Sequence, residues 1–323
     1  MLRLFGPKCS KDPVDAAALE AIPEGTHWVD LLNPTREEEK LVERALGHNV
    51  PTREEMAEIE PSSRLYERQG TVFMTASVLH GVTGKKPDTD PVSFILTEQL
   101  LVTVRYVDPT PFTRFYEHLC AEPEIGLDAL SILARLLDTI VDRLADELES
   151  TASQMEDVSG QIFRTAAIKS KSTERRLEAI LMRTGRVQRL LAEIRESAVS
   201  SSRMLGYMVT TDRVAGSEHR SHVESLIGDV KALLDHSNFL VENLNFLLDA
   251  SLGMISLEQN SVMKLFSVVA VVFMPPTLIA GIYGMNFDHM PELDWLYGYP
   301  FALSLILASA ILPYWFAKRH GWL

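Results

Sequence analysis

Cysteine and positive charge are both scarce in this chain. Its two cysteines, Cys9 and Cys120, stand far apart and without metal-ligand spacing, so reduced structural thiols are expected, as suits a cytosolic domain. Lys and Arg number 31 against 44 Asp and Glu, a formal net charge of −13. That balance argues against nucleic acid, which demands a basic face; it suits cations, or reports only solubility. The chain also lacks a Gly-rich phosphate loop, a nucleophile elbow and paired His/Asp residues, so neither a nucleotide site nor an enzyme is expected. The opening Met-Leu-Arg-Leu-Phe-Gly-Pro-Lys has no apolar run of signal-peptide length. Residues 1–259 are therefore expected to stay in the cytoplasm.

Long uncharged apolar runs are rare as well, which makes the two that exist informative. Residues 265–283 and 300–317 contain no charged side chain. A helix needs about 20 mostly apolar residues to cross the hydrocarbon of a bilayer, so each run is just long enough. The intervening 284–299 is too short to fold alone and reads as a loop joining two antiparallel spans. Lys264 precedes the first run, Lys318 and Arg319 follow the second, and the loop carries Asp288, Glu292 and Asp294 without Lys or Arg. The positive-inside rule then puts both termini in the cytoplasm and the loop outside.

Within that loop, Tyr283-Gly284-Met285-Asn286 directly follows the first run, and Met290-Pro291-Glu292-Leu293 comes shortly after. Together with the basic ending Lys318-Arg319-His320-Gly321-Trp322-Leu323, this resembles the CorA family of magnesium transporters. The match is strong over about 240–323 and compatible elsewhere. The resemblance implies an α+β cytosolic domain, a long helical stalk and two C-terminal transmembrane helices, assembled as a funnel-shaped ring of five copies in a bacterial inner (plasma) membrane. The expected segments are 1–122 (α/β domain), 123–259 (helical stalk), 260–283 (first, pore-lining span), 284–299 (external loop), 300–317 (second span) and 318–323 (basic cytosolic tail).

Earlier in the chain, Thr71–His80, 91–97 and 100–106 are rich in Val, Ile, Phe and Thr, as strands are, with Glu98-Gln99 as a hairpin turn between the last two. Thr35 with Glu38 and Thr52 with Glu55 read as capping boxes opening two helices. From about Leu127 the texture turns to long helices. Leu130, Leu133, Leu137, Ile140, Leu144 and Leu148 recur at three- and four-residue steps, and Leu177, Leu181, Thr184, Val187, Leu191 and Ile194 repeat the pattern. Breaks are expected near Gly160 and across Gly206 to Gly216. A third helix starts near Ser217 or Ser221 and meets no breaker before Pro275. Glu218, His219, His222 and Glu224 have His-x-x-His spacing, but no third ligand is fixed by spacing, and a solvated helix start is the favoured reading.

Along that third helix, steps of four and three from Asp249 give Gly253, Ser256, Asn260, Met263, Ser267, Ala270, Met274, Thr277, Gly281 and Gly284. These are polar, small or flexible, whereas the positions between them are mostly Leu, Ile, Val and Phe. A seven-residue period holds them on one helix face. Close helix packing accounts for Gly281 and Ala270, but not for Asn260, Thr277 and, beyond, Asn286; polar groups inside a bilayer face a bundle interior or a water path. The pore is the favoured reading. Two spans cannot enclose water, so several copies in a ring are required. Pro275-Pro276 removes backbone donors in mid-span. It reads either as a packing kink or as a source of free carbonyls beside Thr277.

By resemblance, Gly284, Met285 and Asn286 form the selectivity filter, a ring that grips hydrated Mg2+ through its water shell. Thr277, Asn260 and Asp249 match the family's polar rings, and Met274, Met263 and Phe266 its apolar constriction. Mg2+ is then both cargo and cytosolic regulator, with Co2+, and Ni2+ less firmly, as alternative cargo. Asp88, Asp90, Glu224 and Asp229 are the candidate regulatory carboxylates. Two alternatives stand: a zinc transporter of the ZntB kind, whose loop resembles Gly-Gly-Ile-Pro-Trp, and a membrane-tethered coiled-coil scaffold or sensor.

Overall fold

The structure, a computed structural model, describes residues 1–6, 13–84, 86–121, 128–167, 173–285, 290–291 and 295–319. Its described residues divide into two compact units, Met1–Thr165 with Glu178–Leu248, and Ala166–Leu177 with Asp249–Leu323.

The first unit is built on a mixed six-stranded sheet. Its strands are β1 (Leu2–Phe5), β2 (Trp28–Leu32), β3 (Leu65–Arg68), β4 (Thr71–His80), β5 (Asp88–Leu96) and β6 (Leu101–Arg105), in the order β1-β2-β6-β5-β4-β3. Only the β2–β6 pair is parallel, aligning Asp30 with Thr103; the other neighbours are antiparallel. The hairpin between β5 and β6 closes where Thr97 N donates to Leu100 O at 2.9 Å. Three of the six strands were legible as β-branched runs; β1 and β3 have only four residues each, and β2, Trp-Val-Asp-Leu-Leu, has a single β-branched residue and a charge at its centre.

Four helices cover this sheet: α1 (Arg36–Leu46), α2 (Arg53–Ala57), α3 (Pro61–Arg64) and α4 (Thr110–Ala121). Both capping boxes form. Glu38 N donates to Thr35 Oγ1 at 3.3 Å while Thr35 N donates to Glu38 Oε2 at 2.8 Å, and Thr52 and Glu55 repeat the exchange. Leu41, Val42, Leu46 and Met56 join Val29, Leu31, Ile95, Val102 and Val104 in one core. Phe5 stacks on Trp28 at 4.6 Å and meets Tyr116 of α4 edge-on at 4.6 Å.

Tyr116 lies one turn before Cys120, and Cys120 is disulfide-bonded. Cys9, the chain's other cysteine, follows Phe5 by four residues and lies outside the described residues. The bonded state of Cys120 corrects the expectation of two reduced thiols. Cysteine state therefore carries no argument about compartment here.

Long helices follow: α5 (Ala129–Ala167), α6 (Thr173–Thr210), a short α7 (Asp212–Ala215) and α8 (Arg220–Tyr283). The row Leu130, Leu133, Leu137, Ile140, Leu144 and Leu148 on α5 is buried, as are Thr184, Val187, Leu191 and Ile194 on α6. Leu181 is half-buried, and the side chain of Leu177 lies outside the described set. Ser197 Oγ of α6 donates to Ser77 O of β4 at 2.9 Å, and Ser77 N donates to Ser200 Oγ at 2.8 Å, which seats α6 on the sheet. Gly160 and Gly206 do not break their helices. A helical glycine costs about 1 kcal/mol against alanine, which a buried apolar row readily offsets. The break expected across Gly206 to Gly216 does form, over 211–219, where Thr211 precedes α7 and Gly216 closes it.

The second unit holds the end of α8 and α9 (Gly298–Arg319). Both helices are long and apolar enough to cross a membrane, and the most apolar window of each is only 6% buried. The core helix of a soluble protein would be covered; so much exposed Leu, Val and Phe needs lipid or other copies of the chain around it. Helix α8 continues through Pro275 and Pro276 to Tyr283.

Candidate functional site

The stripe begins at Asp249 on α8, which is exposed, and continues through exposed Ser256, Asn260, Met263, Ser267, Ala270, Met274, Thr277, Gly281 and Gly284. Among the segment's other residues, Val268 is buried and Val272, Pro275, Pro276, Ile279 and Tyr283 are half-buried. At about 100° per residue these six centre roughly 160° round the helix from the stripe. Helix α9 shows a matching pattern: Gly298, Ala302, Ile306, Ser309, Ala310, Pro313 and Ala317 are its covered positions, mostly small, as close helix contact requires. A cavity of about 730 Å³ is lined by Asn260, Met263, Lys264, Ser267, Val268 and Val271 of α8 and by Leu312, Pro313, Trp315, Phe316 and Ala317 of α9, which places the two helices side by side and brings the Asn260–Ser267 part of the stripe to the space between them. So α8 gives one face to α9, and the stripe from Ala270 to Gly284 stays uncovered, whereas Asn260, Met263 and Ser267 border the cavity the two helices share.

The stripe satisfies its own hydroxyls. Ser267 Oγ donates to Met263 O at 2.9 Å and Thr277 Oγ1 to Phe273 O at 2.8 Å, each bonding back one turn. Their oxygens keep lone pairs free for water. Met263, Phe266 and Met274 are 64%, 66% and 69% exposed. Phe266 lies beside the stripe rather than on it. The prolines lie on the α9 side, and the carbonyls their missing N–H groups release, at Val271 and Val272, fall about 100° and 200° from Ala270. Packing against α9 is the reading their position favours.

At the end of the stripe, Gly284 N donates to Ala280 O at 2.9 Å, and a Cβ on Gly284 would meet that same oxygen at 3.1 Å. A side chain there would crowd that carbonyl, so glycine is favoured by close approach of backbone, not by a positive φ. Met285 follows and is 47% exposed. Asn286, and with it Asp288, His289, Glu292 and Asp294, lies outside the described residues, as does the tail from His320. At the start of α9, Trp295 packs on Tyr297 and Phe301 at 6.1 and 5.9 Å. At its end Arg319 lies 5.2 Å over Trp315. Aromatics at both ends suit the two interfaces of a bilayer.

The candidate regulatory carboxylates are not gathered within one chain. Asp88 and Asp90 are in β5 itself, rather than in a loop before it, on the same side as His80. His80 Nε2 lies 2.8 Å from Asp90 Oδ2, and Asp88 is exposed at the strand's edge. Glu224 accepts from Arg220 Nε at 2.9 Å, and Asp229 is exposed. Among the described residues, no group of three or more His, Cys, Asp or Glu is placed to hold a metal. The His-x-x-His pair is absorbed by α5: His222 Nε2 sits 2.8 Å from Asp138 Oδ2, and His219 Nε2 3.1 Å from Ser131 Oγ. Burial pushes the Asp138 carboxyl up, with His222 pulling the other way; for Asp128 burial also pushes up, but the two hydrogen bonds from Ser131 outweigh it and hold the group below its ordinary value.

Sequence reasoning missed one charged constellation altogether. Arg105 is fully buried and binds Asp30 through Nε at 3.0 Å and Nη2 at 2.8 Å, with Thr103 Oγ1 also donating to Asp30 at 2.8 Å. Burial pushes the guanidinium down, yet the carboxylates of Asp30 and Asp108 raise it overall. It is a structural pair, inside the sheet and remote in sequence.

Residues 23–319 match the family model described as CorA-like Mg2+ transporter protein. The chain is 31% identical over 317 residues to the magnesium transport protein CorA of Pasteurella multocida, covering 96% of this chain and 98% of that one. It is likewise 31% identical over 296 residues to the CorA of Salmonella typhimurium, covering 92% of each. Among solved structures, the complete CorA magnesium transporter of Methanocaldococcus jannaschii superposes with a TM-score of 0.76 at 18% identity, covering 100% of this chain and 98% of that one. The ZntB cytoplasmic domain of Vibrio parahaemolyticus is a more distant match, with a TM-score of 0.56 at 10% identity over 77% of this chain and 96% of that domain.

Proposed function

Since the chain belongs to the CorA family of magnesium transport proteins, and is accordingly a membrane ion transporter and not an enzyme, we propose that it conducts hydrated Mg2+ inward through a homo-oligomeric pore lined by the exposed stripe of α8. The observation that carries this reading is the division of α8 into two faces. One is covered by α9; the other exposes Thr277 among Ala270, Gly281 and Gly284, with Asn260 and Ser267 bordering the cavity shared with α9. A ring of copies, five by family resemblance, would close that face around water.

Magnesium dehydrates reluctantly, so a mouth that offers neutral acceptors to its bound water selects it better than bare carboxylates. Gly284, Met285 and Asn286 are assigned this role, with Asp288, Glu292 and Asp294 concentrating cations outside. Asn260 and Asp249 continue the polar path inward, past the apolar neck of Met274, Met263 and Phe266, where dewetting closes a pore without a plug. The membrane potential supplies the drive: at ~2.3 kcal/mol per charge per 100 mV, a dication gains about 4.6 kcal/mol moving inward. Co2+, and to a lesser degree Ni2+, are proposed as alternative cargo. Both termini are assigned to the cytoplasm of a bacterial inner membrane on the Lys/Arg asymmetry. The loop Phe-Asp-His-Met-Pro-Glu-Leu favours the magnesium branch over a zinc transporter of the ZntB kind.

The test is Mg2+ uptake by Asn286→Ala. Loss of uptake, with membrane insertion and oligomer size retained, is expected, because only the water-binding acceptor has gone. Wild-type uptake by the assembled variant would remove Asn286 from the filter.

A further inference from the structure

Unit one contains a cavity of about 630 Å³ between α3, β4, α6 and α8 that transport through α8 does not use. Its lining holds Arg64 of α3 and Arg195 and Arg203 of α6, with Glu196 as its one acid. Three cations against one anion leave a surplus of two positive charges, in a chain whose net charge is −13. Arg64 is half-buried and spends its donors on neutral groups, the Glu58 carbonyl and the Ser77 hydroxyl, the latter at 3.4 Å. Burial and the nearby charge of Arg203 push its guanidinium down, against the pull of Glu196. Arg195 and Arg203 are exposed on α6 at the cavity, and the charge of Arg203 reaches Arg64, a repulsion that a bound anion would relieve.

We infer that this cavity is a binding site for a small phosphate-bearing ligand. A phosphate dianion matches the surplus of two charges, and the planar fork of arginine binds phosphate oxygens in pairs. The volume lies in the range of small-molecule sites. Buried Leu191 and Leu244 form an apolar floor, so the cavity accepts either free inorganic phosphate or the phosphate of a small organic ester. Because Arg195 and Arg203 belong to α6 and Leu244 to α8, the bound anion would lie against both helices.

The test uses the purified full-length protein in buffer with EDTA, so that no magnesium complex contributes, and measures binding by calorimetry and by the rise in apparent Tm. The probes are inorganic phosphate and adenosine monophosphate. Binding is expected to weaken about tenfold in Arg195→Gln and again in Arg203→Gln, since each loses a charge-assisted hydrogen-bond donor. Arg203→Lys keeps the charge and the fold but loses the fork, and its affinity should fall between wild type and Arg203→Gln. Binding of inorganic phosphate identifies the free anion as sufficient; binding of the monophosphate alone identifies an organic phosphate. Failure of both probes to bind the wild type, or undiminished binding by the double glutamine variant, overturns the site. These readouts do not involve ion flux, so they stand or fall apart from the transport assignment.

Discussion

Arg105 shows what a single buried charge demands of this fold. Its guanidinium is fully buried in β6, and the Asp30 carboxylate of β2 neutralises it, while Thr103 bridges to the same carboxylate and to the Trp28 indole at 2.8 and 2.9 Å. Asp30→Asn should therefore destabilise the soluble unit by about 3–5 kcal/mol, the usual result of leaving one partner of a buried pair uncompensated. Thermal unfolding of the variant measures this, and a change in apparent Tm within error would show that water or Asp108 already compensates Arg105. This pair could not be read from the sequence, because Asp30 and Arg105 are 75 positions apart and meet only through the parallel β2–β6 register. The capping boxes at Thr35 and Thr52 were legible for the opposite reason: donor and acceptor lie three residues apart, so no tertiary knowledge is needed. Asp88 and Asp90 fall between the two cases. Their charge was visible, but their seats in β5 opposite His80 depend on where the strand begins.

For the elements, periodicity carried most of the information, and α8 carries the most testable part of it. Its two faces predict opposite responses to one chemical change. Met274→Asp puts a carboxylate on the uncovered stripe, and the protein should insert and assemble but leak, with faster and less regulated Mg2+ flux in liposomes. Ile279→Asp puts the same group on the face packed against α9, where a charge within a span costs about 2.5–3.5 kcal/mol, so the yield of membrane-inserted protein should fall. If Met274→Asp abolishes insertion while Ile279→Asp conducts normally, the faces have been assigned the wrong way round. The stripe was legible because a seven-residue repeat stays on one side of a helix for several turns. The glycines misled for a related reason. Gly160 and Gly206 look like punctuation in isolation, yet a helix of 38 or 39 residues with a buried row tolerates one glycine easily. Pro275-Pro276 also leaves α8 continuous; without a helical neighbour to cover them, tandem prolines would be far costlier.

On the scale of the whole molecule, orientation and regulation rest on charge. Asp288→Cys should react with an impermeant thiol reagent added outside the cell, and Arg319→Cys should not; the reverse pattern would invert the assignment of inside and outside. We propose regulation by the cargo ion on the same ground, since a ring would assemble several copies of a chain that each carry a net charge of −13. Side by side, such copies repel one another, most strongly where carboxylates of adjacent subunits meet. A cytosolic Mg2+ bridging two such carboxylates would relieve the repulsion and hold a closed ring, so that depletion of the transported ion opens the path. Of the candidates, Asp90 already faces His80 and Glu224 already faces Arg220, whereas Asp88 and Asp229 are exposed. Neutralising Asp88 and Asp229 together, as Asp88→Asn and Asp229→Asn, should therefore weaken magnesium regulation more than neutralising Asp90 and Glu224. Limited proteolysis of the purified protein with and without millimolar-range Mg2+, alongside flux, measures the effect. In the wild type, Mg2+ should protect the long helices and slow flux; in the Asp88/Asp229 variant both responses should shrink. If Mg2+ neither protects nor slows the wild type, or if all four neutralisations together leave both responses unchanged, closure by the cargo ion does not act through these carboxylates.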